Sequence, residues 1–289
     1  MPDPGGRLGC GLWVGHVVAV PAGIRPPGPG RGGRREWKVT PMAVSRRDVQ
    51  TADGLMDVDL HAPDGGAPAP VVIMYPDAYG VRETVQRMAG RLAAAGYLVA
   101  LPNMFYRSGA DAAAPEKIDF ADPEQRARLG RVVSQATPQR VMADTGALLD
   151  ALADEPGALP GPVGTIGYCV GGRMAFTAAT AHPDRVAAAA SIHGGGLASD
   201  DPSSPYLAAD RIRAALYIAI ATGDAHHTDA DHARLVAALD EAKVDYEAEI
   251  LPARHGFALV DFPVYDEAAA ERHWEKSLAL FARTLRPAA

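Results

Sequence analysis

From about residue 47 onward, short apolar runs alternate with stretches whose apolar residues recur every three or four positions. Val71–Tyr75 is wholly apolar, as a strand buried on both faces requires. Val81, Val85, Met88 and Leu92 then share one helical face, and Gly96 ends that helix. The alternation continues through strands predicted at Tyr97–Leu101, Val163–Tyr168, Val186–His193, Ala215–Thr222 and Tyr246–Leu251. Between and after them lie helices carrying Val141, Thr145, Leu148 and Leu152, a helix at Gly171–Ala181, one near Asp231–Ala242, and a last one with Trp274, Leu278, Phe281 and Leu285. Ahead of this series, Asp48–Thr51 and Leu55–His61 flank Asp53-Gly54, a hairpin signal. Residues 103–138 have no such regularity and read as an irregular, lid-like excursion. Strands alternating with helices predict an α/β protein with a mostly parallel central sheet and helices on both faces.

Composition changes this picture at one end. Residues 1–41 are rich in Gly, Pro and Arg and have little apolar surface to bury, which predicts a disordered extension before a single domain over 42–289. A start at Met42 would account for the same boundary. Of the 289 residues, 48% are hydrophobic, ample for one core. The net charge of −7 gives no reason to expect nucleic acid or an anionic membrane as a partner. No apolar run approaches the roughly 18 residues that span a bilayer. Two cysteines, Cys10 and Cys169, make no disulfide framework and point to free thiols in a reducing, cytoplasmic setting.

The candidate chemistry centres on Gly167-Tyr168-Cys169-Val170-Gly171-Gly172, between a predicted strand and a predicted helix. A nucleophile elbow belongs at that junction, with small residues around the nucleophile so that the turn can close. Here a cysteine takes the place usual for serine, and the following helix N-terminus favours a thiolate and an oxyanion. The competing reading is a buried, inert cysteine at a strand end. Chain order argues for chemistry. The α/β-hydrolase order is nucleophile, acid, histidine. Asp224 follows the run Ala215–Thr222, and His255 follows Tyr246–Leu251, so both fall in loops at the carboxyl edge of the sheet. Asp229 and Asp231 lie further past the strand, and Asp229 reads as a helix N-cap. His226, His227 and His232 form no recognisable metal-ligand frame. His193-Gly194-Gly195-Gly196 resembles a lipase oxyanion loop only in its letters and reads as a glycine-rich strand exit.

Over about Val49 to Leu285 the chain resembles the dienelactone hydrolases (carboxymethylenebutenolidases), most specifically in the Gly-Tyr-Cys-Val-Gly-Gly-Arg segment at 167–173. The resemblance implies an α/β-hydrolase fold and a catalytic triad of Cys169, Asp224 and His255. It implies an oxyanion hole from the backbone N–H groups of Ala78 and Val170. Asp77 stands where the family has a thiolate-activating glutamate. Arg107 falls on the family's first carboxylate-binding arginine, and Leu259 takes the place of the second. The implied activity is hydrolysis of a small-molecule ester or lactone through an acyl-thioester, without cofactor or metal, by a monomer or small homo-oligomer. The alternative is a catalytically silent binding or regulatory protein on the same scaffold.

Overall fold

A computed structural model describes residues 44–112 and 122–285. The extension expected over 1–41 lies outside the described residues. Strands β1 (Val44–Thr51) and β2 (Gly54–His61) form the predicted hairpin, closed by the pair Thr51 and Gly54. There follow β3 (Val71–Tyr75), α1 (Glu83–Ala94), β4 (Leu98–Pro102), α2 (Pro123–Gln135), α3 (Pro138–Ala153), β5 (Val163–Tyr168) and α4 (Val170–Ala181). The chain continues through β6 (Val186–Ile192), β7 (Ala215–Ala221), α5 (Asp229–Glu241), β8 (Tyr246–Leu251) and α6 (Glu267–Leu285), with short 3₁₀ turns at Tyr106–Ala112 and Pro205–Arg211.

The strands form one sheet in the order β1-β2-β4-β3-β5-β6-β7-β8. β1, β2 and β4 pair antiparallel, and every pair from β4–β3 to β7–β8 is parallel. The chain steps outward from β3 to β4 and then returns across β3 to β5. The strand order reverses there, and in open α/β sheets ligands bind beyond the carboxyl ends of the strands at such a reversal.

Burial on both faces explains the wholly apolar strands. In β3, Val71, Ile73 and Tyr75 join the core under α3, α4 and α5. Val72 and Met74 alternate to the opposite core, under α1 and α6. Each fully buried aliphatic side chain of this kind contributes about 1.5–3 kcal/mol, so the two-sided sheet is the rigid base of the site.

Three expectations require correction. Part of the excursion at 103–138 is helical: the Asp122 side chain caps α2 by accepting the N–H groups of Glu124 and Gln125, and Pro123 begins it. Its only buried residue is Val132, so the hydrophobic period was too weak to read. The cap of α5 is Thr228, not Asp229. The Thr228 hydroxyl accepts the Asp231 N–H at 3.2 Å, and the Asp231 carboxylate accepts the Thr228 N–H at 2.9 Å, a reciprocal capping box. β6 also stops one residue earlier than expected, at Ile192, because His193 turns out of the strand with φ 39°. Among the described residues no helix is long and apolar enough to cross a membrane.

Candidate active site

The turn from β5 into α4 is fixed by close backbone approach. A Cβ on Gly167 would lie 2.0 Å from the Gly171 carbonyl oxygen. A Cβ on Gly171 would lie 2.3 Å from the Pro76 carbonyl oxygen and 2.4 Å from that of Tyr75. Only glycine fits either position. Between them Cys169 has φ 55° and ψ −120°, a strained conformation for a residue with a side chain, costing about 1–3 kcal/mol. Its carbonyl accepts the N–H groups of Gly172 and Arg173, which starts α4. The thiol is free and half-buried.

Asp224 lies just beyond β7 and His255 just beyond β8. His255 Nδ1 donates to Asp224 Oδ2 at 2.7 Å, and Asp224 Oδ1 accepts the His226 N–H at 2.9 Å. Burial works against the charge on Asp224, but these two donors hold its carboxyl below the ordinary range. Burial also works against a charged His255. Asp224 and the neighbouring Cys169 sulfur outweigh it and push the imidazole up to about 10. At neutral pH the ring is therefore an imidazolium beside a carboxylate and the Cys169 sulfur.

His193 adds a second, different imidazole. It is almost wholly buried, and its Nδ1 accepts the Cys169 N–H at 3.1 Å. That bond places the ring proton on Nε2. Burial, together with the charge of His255, pushes His193 down to about 3, so it stays neutral. Its ring lies 5.1 Å from that of His255 and 5.1 Å from Phe257. On the solvent side, the exposed His226 brings its ring to 4.8 Å from His255. His255 thus stands between two imidazoles, one buried and one exposed. In the sequence His193 reads only as a strand exit. The signal available was its place next to Ile192, whose strand neighbour is Tyr168.

Asp77 and Ala78 come directly after β3, whose Tyr75 pairs with Gly167, so this loop abuts the elbow. Among the described residues the N–H groups of Ala78 and Val170 have no protein acceptor. Asp77 is buried, and both its carboxylate oxygens accept from the Arg82 guanidinium at 2.8 Å. Burial raises its pKa even so, with Arg82 opposing. Arg107 is also committed: Nε donates to Asp53 at 2.7 Å, and Nη1 and Nη2 donate to Asp144 at 2.7 and 2.8 Å. Leu259 is fully buried. The elbow, the acid, the base and the Ala78 loop thus meet at one edge of the sheet, while Arg107 is engaged by the hairpin and α3. Of the rival histidines, His227 and His232 face each other at 5.8 Å beside α5, and burial lowers both pKa values.

An elbow after a central parallel strand, followed in chain order by an acid and a histidine at the same sheet edge, defines an α/β-hydrolase. The profile of the dienelactone hydrolase family matches residues 56–285, and the chain belongs to that family. Two curated bacterial proteins named "Putative carboxymethylenebutenolidase" are similar to it. The one from Synechocystis sp. is 26% identical over 253 residues, covering 86% of this chain and 98% of that protein. The one from Escherichia coli is 29% identical over 221 residues, covering 74% and 77%. The crystal structure of a "Putative Dienelactone Hydrolase" from Klebsiella pneumoniae superposes with a TM-score of 0.74 at 24% identity, covering 84% of this chain and all of that one. The chain is accordingly a hydrolase of the dienelactone hydrolase family.

Proposed function

We propose that this hydrolase cleaves a carboxylic ester or lactone with Cys169 as nucleophile. The reading is carried by the 2.7 Å bond from His255 to Asp224 beside the strained Cys169 elbow. The Cys169 thiolate attacks the carbonyl carbon, and the resulting oxyanion lies against the N–H groups of Val170 and Ala78. The His255 imidazolium gives its proton to the departing alkoxide as the carbon–oxygen bond breaks, leaving an acyl-thioester. Water then attacks the thioester, His255 takes its proton, and the acid product leaves a thiolate beside an imidazolium. Asp224 holds the ring's tautomer and direction throughout.

Charge favours neutral substrates in this reading. Arg82 and Arg107 are each matched by two carboxylates. For Arg107 to bind an acidic substrate, it would have to leave Asp144. The dienelactone ring, which carries a carboxylate, is then one substrate among several, and simple neutral esters are expected to turn over at least as well. Intact-protein mass spectrometry with an activated ester tests the mechanism: an acyl adduct on Cys169 is expected in the native protein and none in Cys169→Ala. Unchanged ester turnover by Cys169→Ala would sink it, as would a native protein that never acylates.

A further inference from the structure

Arg82 has no part in the chemistry just described, yet it is among the most completely bonded side chains near it. It stands at the start of α1, four residues past Ala78. Nη1 and Nη2 chelate Asp77 at 2.8 Å each. Nε reaches Asp261 Oδ2 at 2.6 Å, Nη2 reaches Asp261 Oδ1 at 3.1 Å, and Nη1 also meets the Gly80 carbonyl at 3.3 Å. The guanidinium lies over the rings of Tyr79 and Phe262, at 5.3 and 5.7 Å from their centres, and those rings touch each other at 5.1 Å.

These contacts join two loops. Asp77 accepts the Tyr79 N–H at 2.7 Å on its carboxylate and the Gly80 N–H at 3.0 Å on its carbonyl, a tight turn with Ala78 at the corner. Asp261 belongs to the coil that runs on from His255 through the turns Phe257 to Arg254, Leu259 to Gly256 and Phe262 to Leu259. The Asp77 side chain is only 2% exposed and that of Arg82 16%, so water competes weakly for this pair. Bidentate Arg–carboxylate bonds fix direction as well as distance.

We infer that Arg82 is a positioning residue: through Asp77 and Asp261 it holds the Ala78 N–H in register with the Cys169–His255 pair. The inference rests on the function proposed above, because it needs Ala78 to meet the oxyanion. It also gives Asp77 a different task from thiolate activation, since both its oxygens face Arg82.

The test compares Arg82→Lys and Asp261→Asn with the native enzyme. Lysine keeps the charge but lacks the planar fork that chelates Asp77 while Nε reaches Asp261. For an activated neutral ester, Arg82→Lys is expected to lower kcat by roughly ten- to a hundredfold, the scale of a small misplacement of a catalytic group, while KM stays nearly constant. Alkylation of Cys169 by iodoacetamide, which forms no oxyanion, is expected at the native rate. Asp261→Asn, at a partly exposed site, is expected to show the same split more weakly, and it carries the test alone if Arg82→Lys does not fold. Native kcat in Arg82→Lys, or in Asp261→Asn where it stands alone, would overturn the inference. So would an alkylation rate that falls in step with kcat, because the ion pair would then act on the thiol. Failure of the cysteine mechanism itself is read separately, in the native protein, as absence of the acyl-Cys169 adduct, and it overturns both.

Discussion

The two sides of the candidate site are held by different physics. On the cysteine side, Cys169 is placed by backbone crowding: Gly167 and Gly171 admit no side chain, and the turn they permit forces φ to 55°. On the histidine side, the neighbouring Gly256 is crowded only by the side chains of Phe262 and Val264, not by backbone, and His255 is aimed by charge, through Asp224 and the Cys169 sulfur. Steric placement tolerates no substitution but is indifferent to pH. Electrostatic placement lets an isosteric change keep the fold while losing the orientation, and it responds to pH. His193 lies at the seam, bonded to the Cys169 N–H and stacked beside His255.

That contrast can be broken most severely on the steric side. Gly167→Ala puts a methyl 2.0 Å from a carbonyl oxygen, and loss of the cooperative thermal transition, followed by circular dichroism, is expected. A native-like Tm for this variant would show that the elbow can give way. Next in size, Asp224→Asn should leave the fold intact and reduce kcat by about 10³–10⁴, as loss of the tautomer-fixing carboxylate does in hydrolase triads. Unimpaired turnover would mean that another group orients His255.

The seam gives a smaller, sharper test. Asparagine at 193 can keep an acceptor for the Cys169 N–H and suits a positive φ, whereas leucine offers neither. Steady-state kinetics should show His193→Leu about tenfold worse in kcat than His193→Asn, the scale of one lost hydrogen bond, because the shared Cys169 N–H then keeps only the Ile192 carbonyl. Equal rates would show that the ring packs without orienting. The smallest effect is in stability. His255 titrates at about 10 when folded and at 6.5 when unperturbed, a raised value. Its contribution is therefore full below pH 6.5 and is lost as pH climbs toward 10. The difference in Tm between native protein and His255→Gln should be largest near pH 6 and shrink by pH 10. A gap that widens with pH would contradict the ion pair.

How much was legible before the coordinates follows the same division. The elbow is local: strand, glycines, cysteine and helix lie within a few adjacent positions, so Gly167–Gly172 could be read directly. Asp224 and His255 were legible because a parallel sheet sends every strand end to one edge. The clamp was not, because Arg82 and Asp261 are 179 residues apart and a surface arginine looks the same in either role. Nor was α2, whose face buries too little to impose a helical period.

By itself, the sequence determined the two-sided apolar strands, the family and the glycine-framed turn at Cys169, since backbone sterics and periodic burial act over short spans. The tertiary structure decided which charges meet. It set Arg107 against Asp144 and Asp53, bound Arg82 to Asp77 and Asp261, and placed a neutral His193 behind the charged His255. Those are pairings across the sheet edge, and Coulomb interactions and desolvation depend on distance and burial that no local pattern encodes.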